Sequence, residues 1–227
     1  MSPARDVAGG GNGRGAGTTL LVIAKEPVAG RVKTRLTPPY TPAEAAALAE
    51  AALADTLRVV ADMPARRRVL ALDGRPGPWL PPGIEVVGQC GGGLDERLAG
   101  AFEGCRGPTL LIGMDTPQIT PALLAPVLDA DGWTGCDAWF GPAADGGFWA
   151  LGLAEPDPGL LRGVPMSTAT TGAVQRSRLV GAGLRVRELP ALRDVDTASD
   201  ALEAAAAAPG GRFARTLARL SARTAAR

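Results

Sequence analysis

Residues 18–36 read TTLLVIAKEPVAGRVKTRL, an apolar segment followed at once by a loop that carries four cationic side chains. The first part, 18–25, is a short run of apolar and β-branched residues without the polar alternation of a half-exposed strand. Such continuity is typical of a strand that is covered on both faces, as in a parallel sheet between helices. The stretch predicts the first strand of an α/β fold, with a basic loop at its carboxyl end.

Strand and helix patterns alternate through the rest of the chain. One helix begins with Thr41, Pro42 and Glu44, a capping box with proline at the first helical position. Further strands are predicted at 67–72, 84–88, 108–114 and 184–189, with two more around a glycine-containing turn in 137–153. Further helices are predicted at 94–103 (with Leu94, Leu98 and Phe102 on one face), from Thr120, over about 168–182, from Thr197 and at the carboxyl end. This order predicts a three-layer αβα sandwich around a mostly parallel sheet.

The composition excludes several kinds of chemistry. Among 227 residues there is no histidine, so Ser-His-Asp and Cys-His catalysis and histidine-ligated metals are ruled out. The three cysteines are far apart and odd in number, which gives no disulfide framework. A formal net charge of +1 does not favour a general nucleic-acid binder. Acid-base and metal chemistry therefore falls to carboxylates, lysines, arginines and backbone amides.

The ends of the chain differ from its centre in composition. Residues 1–17 are rich in glycine and lack large apolar side chains, which predicts a disordered tail followed by a single domain at 18–227. No apolar run is long enough for a secretion signal or a membrane span, which predicts a cytoplasmic protein without stable membrane insertion. The basic stripe of the last helix suits either a solvated face or a membrane or acidic partner.

The loop after the first predicted strand is the first candidate site. Ligands of open α/β sheets bind at the carboxyl ends of the strands, and glycine lets a backbone approach an anion closely. A solvated basic loop would have the same composition. The candidates for binding a phosphate-bearing donor are Lys25, Gly30, Arg31, Lys33 and Arg35.

Three aspartates form the second set of candidates. Asp115 follows a buried strand and is suited to hold Mg²⁺ or Mn²⁺ on phosphates, although it also suits a turn cap. Asp196 can complete such a metal site, or simply belong to the helix start at Thr197. Asp145 precedes Gly146 in a sequence that is also an ordinary hairpin turn.

Several stretches together resemble one known family. The resemblance lies in AKEPVAGRVKTRL (24–36), LDERL (94–98), IGMDTP (112–117), GPAADGGFWALGL (141–153) and DVDT (194–197). The family is the glycosyltransferase-like "transferase 1, radical-SAM/selenodomain-associated" group, which includes proteins described as arsenosugar-biosynthesis glycosyltransferases and is related to the phospholactate guanylyltransferases. It implies the nucleotide-diphospho-sugar transferase (GT-A) fold, with a seven-stranded mixed sheet and a nucleotide site over its strand ends.

The resemblance also implies roles for single residues. The four cations between Lys25 and Arg35 correspond to contacts with the donor phosphates, and Asp115 to the main metal ligand and a catalytic residue. Asp196 corresponds to the second metal ligand. Asp145 corresponds to a catalytic base or an acceptor-orienting group, and Gly146 and Gly147 correspond to the acceptor side. In the family a Trp-Ser-Thr run is common where this chain has Met166, Ser167 and Thr168.

The sequence thus predicts a metal-dependent transferase with a nucleotide-activated donor. The leading hypothesis is glycosyl transfer from a nucleotide sugar to a small-molecule acceptor. The alternative is nucleotidyl transfer from a nucleoside triphosphate to a small phosphorylated acid, which the four-cation loop favours because a triphosphate carries more charge. A non-catalytic nucleotide-binding protein with the same fold is the third possibility.

Overall fold

The computed structural model describes residues 17–225, which contain one seven-stranded mixed sheet. The strands are β1 (Thr19–Lys25), β2 (Arg67–Asp73), β3 (Glu85–Gly88), β4 (Thr109–Gly113), β5 (Ala138–Pro142), β6 (Phe148–Leu153) and β7 (Val186–Glu188). Their spatial order is β3-β2-β1-β4-β6-β5-β7. Only β6 runs antiparallel to its neighbours β4 and β5, and the other pairs in the sheet are parallel.

The helices cover both faces of this sheet. They are α1 (Pro42–Asp62), α2 (Leu94–Glu103), α3 (Pro121–Leu128), α4 (Thr171–Gly181), α5 (Ala198–Ala207) and α6 (Arg212–Ala225). Short 3₁₀ turns lie at Thr34–Leu36 and Pro158–Leu160. The predicted α/β architecture with a mostly parallel mixed sheet is confirmed.

Strand β1 lies in the middle of the sheet and is covered on both faces. It pairs in parallel with β2 on one side and with β4 on the other. Its residues Leu20, Leu21 and Val22 are fully buried, as the continuous apolar run predicts. The chain leaves β1 toward β2 and later returns to β4, so the connections diverge between β1 and β4. In open α/β sheets such a divergence opens a crevice at the carboxyl ends of the strands.

Two apolar layers enclose the sheet, and a third lies outside α1. One layer contains Leu53 and Leu57 of α1 with Leu124 of α3. The opposite layer contains Phe102 of α2 and Leu179 of α4. In the outer cluster, α5 and α6 pack against α1 through the side chains Ala201, Ala204, Phe213, Leu217 and Leu220.

The helix starts follow the predicted capping chemistry. The Thr41 hydroxyl accepts a hydrogen bond from the Glu44 N–H, and the Glu44 carboxylate accepts one from the Thr41 N–H. Thr197 and Asp200 form the same reciprocal pair at the start of α5. These local bonds satisfy amides that have no partner within the helix, so the starts of α1 and α5 are predictable from sequence.

Three predicted features are refined by the structure. Leu94, Leu98 and Phe102 lie in one helix as predicted, but the Leu94 side chain is 43% exposed because it opens α2 at the rim of a cleft. The apolar side of α6 packs into the protein's own core while its arginines are exposed, which favours the solvated-face interpretation. The predicted tail lies, except for Gly17, outside the described residues. Within residues 17–225 no helix is long and apolar enough to cross a membrane.

The core layer beneath α1 gives a test of the fold. Leu57→Ala removes a fully buried side chain and is expected to lower the free energy of unfolding by about 2–5 kcal/mol. Leu202→Ala, on the 60% exposed Leu202 of α5, is the matched control and is expected to change it by less than about 0.5 kcal/mol. Urea denaturation followed by circular dichroism measures both, and equal losses in the two variants would contradict the layer assignment.

Candidate active site

A cleft of about 870 Å³ lies over the carboxyl ends of β1 and β4. Its walls come from the loop after β1, the start of α2, the end of β4, the turn before β6, residues 166–171 and residues 194–196. This is the position at which the diverging connections of β1 predict a ligand. Most of the residues predicted from sequence to bind ligand therefore converge on one place.

The side chain of Lys33 lies at the centre of the cleft floor. Its ammonium group is 2.9 Å from Asp115 Oδ2 and 3.2 Å from Asp196 Oδ1, and the side chain is only 8% exposed. Burial alone would lower the pKa of Lys33, but the two carboxylates outweigh it and hold the pKa above its usual value. Lys33 is therefore charged and bridges the two predicted metal ligands.

The backbone at Lys33 is unusual as well. Its φ of 50° and ψ of 40° place it in the left-handed region, which costs a residue other than glycine roughly 1–2 kcal/mol. The neighbours Val32 and Leu36 are buried, and the Leu36 N–H donates to the Lys33 carbonyl at 3.0 Å. These anchors on both sides hold the lysine in a conformation that directs its side chain to the aspartates.

Asp196 is fully engaged in ion pairs. Its second oxygen, Oδ2, accepts a hydrogen bond from Arg35 at 2.9 Å, although the Arg35 side chain is 73% exposed. Its segment is held against the end of β4, because the Val195 N–H donates to the Asp115 carbonyl at 3.0 Å. Two distant parts of the sequence therefore present their carboxylates to the same ammonium group.

Asp194 is a third carboxylate of this group and was not assigned a role from the sequence. Burial raises the pKa of Asp194 to about 7, and the nearby charges of Asp115 and Asp145 act in the same direction while Lys33 opposes them. Its Oδ1 is buried and accepts no hydrogen bond within the described chain. The buried Thr116 Oγ1 next to the cleft also lacks a partner. Unsatisfied buried polar atoms are rare, and here they lie beside the carboxylate pair.

Lys25 and Arg31 form a second pair of cations with a different environment. Both are exposed on the cleft wall, and within residues 17–225 neither side chain has an ion-pair or hydrogen-bond partner. Gly30 has a φ of +76° but does not line the cleft, so it shapes the turn that carries Arg31. These two cations are free to meet an anion.

The turn before β6 carries the predicted acceptor residues. Asp145 is exposed, and its Oδ1 accepts a hydrogen bond from the Gly147 N–H at 2.8 Å, so the carboxylate is held at the cleft rim. Gly147 lines the cleft, whereas Gly146 faces the opposite way. With a φ of +90°, Gly146 approaches Ala169 so closely that a Cβ would lie 2.0 Å from its carbonyl oxygen. Gly146 therefore positions the 166–171 wall.

Two further polar residues line the cleft, Gln89 and Arg97, and neither was predicted from the sequence to bind ligand. Gln89 donates its two amide hydrogens to the carbonyls of Ala24 and Ala71, at 2.8 and 2.9 Å. Arg97 forms an ion pair with Asp73 at 2.7 Å. Arg97 belongs to the LDERL stretch that carries the family resemblance, so the sequence contained a sign of its role. Gln89 lies in no such motif, and its role could not be predicted from the sequence around it.

The carboxylates of the cleft are the candidate ligands for a divalent metal. Within the described part of the chain, no three carboxylates or thiolates come close enough together to hold a metal by themselves. Mg²⁺, however, is usually held by one or two carboxylates together with waters and substrate phosphates. Asp115 and Asp196, with the unsatisfied Asp194 oxygen beside them, fit a metal that is bound together with a phosphate-bearing ligand.

Comparison with protein families gives the family of the chain. Residues 44–168 match the family described as "Uncharacterized protein conserved in bacteria (DUF2064)". The chain belongs to the DUF2064 family. No protein in the curated set matches the sequence.

Several solved structures that are similar to this DUF2064 chain are described as transferases. A "putative nucleotide-diphospho-sugar transferase" from Desulfovibrio desulfuricans is 27% identical, with a TM-score of 0.70 over 79% of this chain and 82% of that chain. A 2-C-methyl-D-erythritol 4-phosphate cytidylyltransferase from Thermus thermophilus is 18% identical, with a TM-score of 0.52 over 84% and 98%. A nucleotidyl transferase from Methanothermobacter thermautotroptrophicus is 17% identical, with a TM-score of 0.55 over 88% and 99%. The last two likenesses concern the fold alone.

The packing of Gly146 in this DUF2064 chain can be tested against a matched glycine. Gly183 has a similar positive φ of +78° but open space around it, so Gly183→Ala is expected to cost about 1–2 kcal/mol. Gly146→Ala adds a backbone overlap of roughly 1–3 kcal/mol to that conformational cost. Thermal and urea unfolding of both variants measure the difference, and equal losses would show that the 166–171 wall does not depend on this contact.

Proposed function

We propose that the chain is a metal-dependent transferase that uses a nucleotide-activated donor, with glycosyl transfer to a small-molecule acceptor as its reaction. The observation that carries the proposal is the pairing of opposite charges in one cleft. Lys25 and Arg31, which have no ion-pair partner within residues 17–225, line the same cleft as the Asp115 and Asp196 pair. A diphosphate needs cations for its oxygens and carboxylates for its metal.

Each group has a role in this reaction. Lys25 and Arg31 bind the donor diphosphate from the wall of the cleft, and Arg35 with Lys33 completes its positive surroundings. Asp115 and Asp196 would hold Mg²⁺ or Mn²⁺, which when bound neutralises the charge that develops on the leaving diphosphate. Asp145 lines the cleft, where the carboxylate oxygen that does not bind the Gly147 N–H can orient the acceptor hydroxyl or take its proton.

The likeness to the nucleotide-diphospho-sugar transferase structure supports a donor of that kind. The narrower resemblance to the radical-SAM-associated glycosyltransferases supports glycosyl transfer and is part of the same proposal. Nucleotidyl transfer is the second candidate, and the specific observation in its favour is the count of four cleft-lining cations in the loop after β1. A triphosphate carries more charge for them to neutralise.

The products distinguish these reactions. The protein is incubated with Mg²⁺ and a panel of nucleotide sugars or nucleoside triphosphates, together with small hydroxylated and phosphorylated acceptors. Release of a nucleoside diphosphate from a nucleotide sugar is the expected result, whereas pyrophosphate release from a triphosphate would show nucleotidyl transfer. Nucleotide binding without either product would identify a non-catalytic nucleotide-binding protein.

The metal ligand is tested by substitution. Asp115→Asn is expected to lower product formation by at least about 100-fold, because several kcal/mol of charge stabilisation by the metal are lost. Asp129→Asn changes an exposed carboxylate after α3, outside the cleft, and is the matched control. Initial rates over a range of Mg²⁺ concentrations measure both variants, and full activity in Asp115→Asn would overturn the metal assignment.

The phosphate contact is tested with two arginines of similar exposure. Arg31 and Arg58 are both exposed and lack partners in the described chain, but only Arg31 lines the cleft. Arg31→Ala is expected to weaken donor binding by about 1.5–3 kcal/mol, the range for a charged hydrogen bond. Arg58→Ala is expected to leave it unchanged. Isothermal titration calorimetry with the donor that gave product measures the dissociation constants.

A further inference from the structure

Lys33 lies where a divalent cation bound by Asp115 and Asp196 would lie. A single ammonium group reaches one oxygen of each carboxylate, at 2.9 and 3.2 Å, and the lysine side chain is almost completely buried. The other Asp196 oxygen is occupied by Arg35. The protein therefore supplies a cation of its own to this pair of carboxylates.

A metal ion without a nucleotide faces two obstacles at this place. Both carboxylates that it needs already have cationic partners. In addition, no group of three metal-binding side chains lies together within residues 17–225. A divalent cation that joined the bridge would also add two positive charges beside Asp115 and Asp196, whose charges Lys33 and Arg35 already balance. If it displaced Lys33 instead, a buried ammonium would lose both of its partners, which is strongly unfavourable.

A phosphate chain removes both obstacles at once. Its oxygens complete the coordination of the metal, and they offer the Lys33 ammonium group a new anionic partner close to its present one. The rest of the Lys33 segment need not move, since buried Val32 and Leu36 anchor it on both sides. Only the flexible end of the side chain has to change its partner.

We propose that Lys33 makes metal binding conditional on the nucleotide, by holding Asp115 and Asp196 as a substitute cation until a phosphate chain arrives. This inference rests on the proposed function, because it assumes the metal and the nucleotide of that reaction. It also implies reciprocity: if the nucleotide strengthens metal binding, the metal strengthens nucleotide binding by the same factor. The free enzyme thus avoids holding a metal that would bind other anions.

The test is a Mn²⁺ titration of the protein without nucleotide, followed by electron paramagnetic resonance of the free ion. The wild-type protein is expected to bind Mn²⁺ weakly, whereas Lys33→Met, which removes the ammonium but keeps most of the stem, is expected to bind it at least tenfold more tightly. Lys25→Met removes the same charge from the same cleft, at a residue that has no carboxylate partner within residues 17–225. It is the matched control, and without nucleotide it is expected to bind Mn²⁺ as weakly as the wild type does.

A second variant and a second measurement keep the test valid if Lys33→Met does not fold. Lys33→Gln keeps a polar head without charge, and Mn²⁺ alone is expected to raise the melting temperature of either folded variant but not that of the wild type. Equal Mn²⁺ affinity of the wild type and the Lys33 variants without nucleotide would overturn the inference.

Addition of each of the four nucleoside triphosphates and of UDP-glucose and GDP-mannose in turn separates this inference from the proposed function. The wild type is expected to gain Mn²⁺ affinity with at least one of them, while the Lys33 variants gain at least tenfold less. If neither the wild type nor the variants bind Mn²⁺ in any mixture, both the metal-dependent function and the inference fail. If the wild type gains affinity as the variants do, only the inference fails.

Discussion

The ion-pair bridge from Lys33 to Asp115 and Asp196 is the interaction on which the architecture of the cleft depends. It joins three segments that are far apart in sequence: the loop after β1, the end of β4 and the segment before α5. A buried ammonium is tolerated only when charged partners surround it, so all three segments must be in place together. The strained backbone at Lys33 is stable for the same reason, because the bridge and the buried neighbours determine its conformation jointly.

The balance of charges around this bridge determines which ligands the cleft floor can accept. Lys33 and Arg35 pair with Asp115 and Asp196, and the charges of this group also act on Asp194, so three carboxylates lie near two cations. Burial and the neighbouring carboxylates raise the pKa of Asp194 to about 7, which lessens this excess by keeping part of the population protonated at neutral pH. A site of this kind accepts further positive charge, provided that the charge arrives with ligands of its own.

The features that the sequence could predict are those that depend on near neighbours in the chain. The buried run of β1 and the reciprocal caps at Thr41 and Thr197 involve residues within a few positions of one another. The roles of Gln89 and Gly146 could not be predicted in this way, because they depend on carbonyls of β1 and β2 and of Ala169 that the fold brings near. Asp194 differs from Asp196 because its Oδ1 is buried without a partner in the described residues, which the sequence pattern DVDT does not reveal.

The loop after β1 shows why a charge run is an incomplete description of a binding site. In sequence, the cations from Lys25 to Arg35 form one basic cluster. In the structure they separate into two pairs. Lys33 and Arg35 bind Asp196, whereas Lys25 and Arg31 have no partner among the described residues. Unpaired cations attract an anion from solution. Cations that are already paired bind a phosphate only when it replaces their carboxylate partner. The four cations therefore have two different roles. Lys25 and Arg31 attract a phosphate chain, and the arrival of that chain gives Lys33 a new partner in place of the carboxylates.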